Sequence, residues 1–117
     1  MVNKKNISED QAKYAMLQGD FGDEVTLSNG RVVVLMTQDW CPQWADMKRW
    51  IYGVDAAEGI DVYELIYNQT GYFREFMKFK ETVWKNDRIP YLRYYINGKL
   101  VKETNYVTKD EFIQIIK

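Results

Sequence analysis

The sequence predicts an α/β fold, a central mixed β-sheet flanked by helices on both faces, in a single domain over 1–117. Three observations predict it. Val32, Val33, Val34, Leu35 and Met36 form an apolar run without alternation, as a strand covered on both faces requires. A helical stripe and a second apolar stretch over 60–67 follow, making a βαβ unit whose strands are parallel. Asn97-Gly98 then separates two more strand-like runs and marks an antiparallel hairpin. Parallel and antiparallel pairs together make the sheet mixed.

Along the chain, Ser8-x-x-Gln11 has the form of a capping box, and Ala12, Ala15 and Met16 follow at helical spacing. Gly19 suits a left-handed cap, so a first helix is expected over about 8–18. Val25, Thr26 and Leu27 lie before Ser28-Asn29-Gly30, and the central strand lies after it. Asn-Gly between apolar runs predicts a hairpin turn there. Pro42 suits the first turn of a helix, and Trp44, Met47, Ile51 and Val54 continue as one stripe, with Gly53 or Gly59 as its stop. A strand over 60–67 comes next. A further helix over roughly 71–85 places Phe73, Phe76, Met77, Val83 and Trp84 on one face, with Lys78, Lys80, Glu81 and Lys85 outside. Ile89-Pro90 opens the strand 91–96, because proline at a strand's first residue removes no ladder donor. After the hairpin, Thr108-x-x-Glu111 caps a closing amphipathic helix carrying Phe112, Ile115 and Ile116.

Composition narrows the function classes. A formal net charge of -1 provides no bulk field for nucleic acid or anionic lipid, so neither a nucleic-acid nor a membrane partner is expected. The absence of histidine removes the commonest general base and zinc ligand, and a single cysteine leaves no zinc site of ordinary composition. Asp23-Glu24 and Asp110-Glu111 read as turn and helix-start acids rather than metal ligands. No metal or cofactor is expected. The N-terminal residues lead into no apolar h-region, and no apolar run approaches the roughly 20 residues that span a bilayer. A lone cysteine also argues against a disulfide-stapled secreted scaffold. The expected setting is cytoplasmic, and the expected state a monomer.

The chemistry gathers at Trp40-Cys41-Pro42-Gln43-Trp44, where the central strand gives way to a helix. Amides at a helix N-terminus favour a thiolate, the reactive form of sulfur. Yet one cysteine cannot close an internal disulfide. Residues three apart on a helix are neighbours, so the Trp44 indole either covers the sulfur or turns into the core with Met47 and Ile51.

The element order and these two motifs, Trp40-Cys41-Pro42-Gln43-Trp44 and Ile89-Pro90 ahead of the Asn97-Gly98 hairpin, resemble the thioredoxin-like family over nearly the whole chain. The resemblance implies a thioredoxin-like fold, a cis bond before Pro90, and Pro90 packed beside Cys41. It departs from the family pattern at Trp44, which stands where the resolving cysteine belongs. The strand before the motif also lacks the family's buried acid. Monothiol glutaredoxins keep one cysteine, but their Cys-Gly-Phe-Ser is absent, and Asn105-Tyr106 occupies the region of their Gly-Gly glutathione contact. Glutathione binding and iron–sulfur chemistry are therefore not expected.

Two functions remain open. In the first, Cys41 is a catalytic nucleophile that forms mixed disulfides resolved by an external thiol. Trp40, Pro42, Trp44, Ile89 and Pro90 then bind substrate, and the partner is a protein or low-molecular-weight thiol or disulfide. In the second, Cys41 is a relic in a redox-inactive scaffold that binds a peptide or protein at the Pro90 groove. Trp40, Trp44, Tyr91, Tyr94 and Tyr95 are the aromatic candidates for that groove, although Tyr91, Tyr94 and Tyr95 also suit packing against helices.

Overall fold

A computed structural model describes residues 1–55 and 58–117. Its five-stranded sheet has the order β1-β3-β2-β4-β5. The strands are β1 (Val2–Asn6), β2 (Arg31–Thr37), β3 (Ile60–Ile66), β4 (Tyr91–Ile96) and β5 (Lys99–Thr104). β1 and β2 both run parallel to β3, while β4 is antiparallel to β2 and to β5, so the sheet is mixed. Helices α1 (Glu9–Gln18), α2 (Asp23–Thr26), α3 (Pro42–Lys48), α4 (Phe73–Thr82) and α5 (Lys109–Ile116) cover it.

Strand alternation sorts the core into two layers. Val32, Val34 and Met36 of β2 face Ala12 and Ala15 of α1, Val25 of α2, and Phe76 and Phe79 of α4. Val33 and Leu35 face the opposite way, onto Trp44 and Met47 of α3 and Phe112 and Ile116 of α5. β2 is thus sealed on both sides, which is why its sequence shows no polar alternation.

Capping follows the sequence closely. Ser8 and Thr108 both close capping boxes, and Gly19 ends α1 with φ +91°. The Asn97-Gly98 turn holds φ values of +51° and +82°, as a type I′ hairpin requires.

Other expectations are corrected. Asp23–Thr26 is a helical turn, not a strand, because Val25, Thr26 and Leu27 all donate main-chain N–H groups backward, to Gly22 or Asp23 carbonyls. β1 adds to the expected elements: its VNKKN sequence has no apolar alternation, since it is an exposed edge strand held by its ladder to β3. α3 ends at Lys48 and is followed by a separate 3-10 turn at Ile51–Gly53, so neither Gly53 nor Gly59 stops it. The stripe from Trp44 to Val54 is buried all the same.

α4 is also shorter than the expected 71–85. Val83 caps it, and Lys85 turns the chain with φ +55°, which drops Trp84 out of the helix and onto Phe79, 4.6 Å between ring centroids. Val83 is exposed, and Lys80, expected outside, is buried. No helix among the described residues is long and apolar enough to cross a membrane.

Candidate functional site

The motif begins where β2 ends, on a loop whose shape is set by side-chain amides. Asn68 takes the Asp39 N–H on Oδ1 (3.0 Å) and gives its Nδ2 to Asp39 Oδ1 (2.8 Å), while Gln69 donates to Asp39 Oδ2 (3.1 Å). These hydrogen bonds, that of Asn68 first, hold the Asp39 carboxyl below its usual value. Gln38 donates to the Tyr67 hydroxyl and accepts from the Trp40 indole N–H at 2.7 Å. Trp40 is therefore presented at the surface, 64% exposed, in one orientation.

Cys41 is the N-cap of α3, with φ −73° and ψ 116°. Its Sγ accepts the Trp44 main-chain N–H at 3.4 Å, taking the place a serine oxygen would hold. Pro42 follows at the first helical position, where its missing N–H costs nothing. The other neighbour of the sulfur comes from the loop that leads into β4, the strand beside β2. The Ile89-Pro90 bond is cis, and the thiol donates toward the Ile89 carbonyl oxygen at 3.7 Å. Cys41 is only 4% exposed.

The structure decides how Trp44 is placed. Its side chain is 3% exposed and meets the Tyr52 ring edge-on at 6.3 Å, inside the layer formed with Met47 and Ile51. As a substrate-contacting side chain Trp44 is corrected: the indole belongs to the core, and what it contributes at the sulfur is a main-chain amide. Pro90 is buried and Ile89 half-buried, with Pro42 and Trp40 exposed beside them. Trp40, Cys41, Pro42, Ile89 and Pro90 thus share one corner of the molecule.

The aromatic groove does not assemble. Tyr91 and Tyr95 pack in the layer under α1 and α4, and Tyr94 packs in the layer under α3 and α5. Their hydroxyls are occupied as well. Tyr91 donates to Glu103, Tyr95 donates to Asp20 at 2.5 Å, and Tyr94 pairs with Thr104 at 2.8 Å.

Several residues around the site carry no sequence signal of a role. Asn105 Nδ2 reaches the Pro90 carbonyl at 3.1 Å, and the Tyr106 hydroxyl donates to Asp46 of α3 at 2.6 Å. The segment after β5 is therefore tied to both the Pro90 loop and the motif helix. Isolated loop amides have no periodicity, and only their fold-level neighbours reveal them.

No family model matches this chain, and no curated protein matches it. Solved structures do. A thioredoxin variant from Halobacterium salinarum aligns over 97% of this chain and 88% of its own, with 16% identity and a TM-score of 0.66. Thioredoxin f from spinach chloroplast aligns over 98% and 89%, with 14% identity and a TM-score of 0.63. Thioredoxin O2 from Arabidopsis thaliana aligns over 97% and 95%, with 17% identity and a TM-score of 0.61. The chain has the thioredoxin fold.

Proposed function

We propose that this chain is a thioredoxin-like thiol–disulfide redox protein that acts as one domain through Cys41 alone. The observation that carries the reading is the position of Sγ, which caps α3 on the Trp44 amide and lies against the carbonyl of Ile89. An amide N–H directed at sulfur stabilises a thiolate. The backbone at Ile89 and Pro90, with Trp40 and Pro42 exposed around it, offers an extended substrate segment a place to lie.

The chemistry balances with one cysteine. The Cys41 thiolate, its proton released to water, attacks one sulfur of a substrate disulfide RSSR′. The Cys41–SR bond forms as the RS–SR′ bond breaks, and R′S⁻ leaves with the electron pair and takes up a proton. An external thiolate R″S⁻ then attacks the R sulfur, yielding RSSR″ and restoring Cys41. The external thiol takes the role of the missing second cysteine, so a cytoplasmic, thiol-rich setting suits the cycle. The partner is a protein or low-molecular-weight disulfide. The cycle needs no cofactor or metal, no nucleic acid or membrane, and only a monomer.

The test is to mix the folded protein with an excess of a small disulfide such as bis(2-hydroxyethyl) disulfide and follow the intact mass. The reading expects one adduct on Cys41, removed by added thiol and absent in Cys41→Ser. Adduct formation only after denaturation would overturn it.

The low exposure of Cys41 favours a second reading, a redox-inactive scaffold that binds a peptide beside Trp40 and Pro90. Alkylated protein would then keep its partner, whereas a redox protein would lose its adduct chemistry.

A further inference from the structure

Between α4 and β4 the chain belongs to no regular element, yet its main chain is held at Asn86, Arg88 and Pro90. Lys80 is 1% exposed, and its ammonium donates to the carbonyls of Asn86 (2.8 Å) and Arg88 (2.7 Å) and to Asn86 Oδ1 (3.3 Å). Burying an ammonium is costly unless its protons are used, and here the three bonds go to this one loop. Asn86 Oδ1 also accepts from the Arg88 N–H at 3.1 Å and from Asn105 Nδ2 at 3.0 Å. Asn105 Nδ2 in turn reaches the carbonyls of Pro90 (3.1 Å) and Arg88 (3.4 Å). The carbonyls on either side of Ile89 are therefore both taken by this cluster. The Ile89 carbonyl between them points to Cys41 Sγ instead.

We propose that Lys80, Asn86 and Asn105 form a positioning cluster that holds the Ile89 carbonyl on Cys41 Sγ and so sets the reactivity of the thiol. The inference deepens the redox function and rests on it in taking Cys41 as the working atom. A carbonyl oxygen accepts from S–H and repels S⁻, so holding it against the sulfur restrains the thiolate. Releasing either neighbouring carbonyl lets the Ile89 oxygen move away. None of the three residues touches the sulfur; they act through the main chain.

The test is alkylation of Cys41 by iodoacetamide in the folded full-length chain, read as the rate at pH 7 and as the pH–rate profile. Asn105→Ala removes the amide without changing charge, and Lys80→Met removes the ammonium. Both are expected to react about threefold faster or more, with the profile displaced to lower pH. Ser28→Ala loses a hydrogen bond to Asp61 near the opposite end of β2 and β3, and it controls for lost stability alone. Unchanged or slower rates, a rise in only one of the two variants, or an equal rise in Ser28→Ala would overturn the cluster. Iodoacetamide needs no disulfide substrate. Failure of the mixed-disulfide cycle and failure of the cluster are thus read separately.

Discussion

Trp44 gives its main-chain N–H to Cys41 Sγ across 3.4 Å while its indole turns away to meet the Tyr52 ring edge-on. One residue thus serves the sulfur with its backbone and the core with its side chain. These two roles separate under mutation. Trp44→Ala should cost about 3–5 kcal/mol through the cavity it leaves, and Trp44→Phe markedly less. Urea unfolding measures both. Trp44→Cys places a second sulfur three residues after Cys41 but carries a similar cavity cost. A Trp44→Ala variant within about 0.5 kcal/mol of the parent would show that the indole does not pack as described.

Arg93 is a buried charge whose partners come from four segments of the chain. Its guanidinium donates to the Tyr91 and Tyr95 hydroxyls, to Asp20 after α1, and to Glu103 of β5, and it stacks 4.3 Å from the Trp84 ring. Asp20 also accepts from the Tyr95 hydroxyl and the Phe21 N–H. Asp20→Ala should therefore cost about 1–3 kcal/mol, the solvent exposure of Asp20 and Glu103 keeping it below a fully buried pair. Asp20→Asn should cost less, because the amide oxygen still accepts. Equal stability of Asp20→Ala and the parent in urea would contradict this account.

Stability should rise and then fall with pH on the alkaline side. Burial pulls the Lys80 ammonium from 10.5 down to about 8, against the nearby Glu81 and Asp87 carboxylates that favour the charge. Between pH 8 and 10 the unfolded chain holds a proton that the folded chain has lost, so stability increases with pH, by about 2–3 kcal/mol. Above pH 10 the sign reverses. Burial raises the phenols of Tyr52, Tyr91, Tyr94 and Tyr95 above their ordinary value, so the folded chain keeps protons that the unfolded chain releases. Urea midpoints at pH 7.5, 9.5 and 11 check the shape, and Lys80→Met should flatten the rise. A steady decline from pH 7.5 onward would refute it.

Two glycines separate backbone need from mere space. Gly98 holds φ +82°, and a methyl there would lie 2.5 Å from Leu27 Cδ2, the movable end of an exposed side chain. Gly98→Ala should cost about 1–2 kcal/mol, mainly from the left-handed backbone. Gly53 has an ordinary φ and nothing within 4 Å of a built Cβ. Gly53→Ala should be neutral or stabilising by up to about 1 kcal/mol. Thermal melts of the pair are sufficient, and similar losses in both would remove the distinction.

The features readable from the sequence are those that neighbouring residues encode together. The unbroken apolar run of β2, the capping boxes at Ser8 and Thr108, the Asn97-Gly98 turn and the cysteine before Pro42 are local patterns with local physical causes. They carry the sheet, its hairpin and the position of Cys41. Other features depend on which main-chain and packing partners the fold supplies, and only the tertiary structure decided them. β1 is a strand because β3 lies beside it, and Val25 is helical because its main chain bonds backward to Gly22 rather than across to a partner strand. Trp44 turns inward because Tyr52 and the α3 layer receive it. Lys80 is buried because the carbonyls of residues 86 and 88 converge on its ammonium, which helical periodicity, counting only charge, assigns to solvent. The sequence by itself determined where the sulfur sits along the chain. The Ile89 oxygen that meets it comes from 48 residues away, where no local pattern can reach.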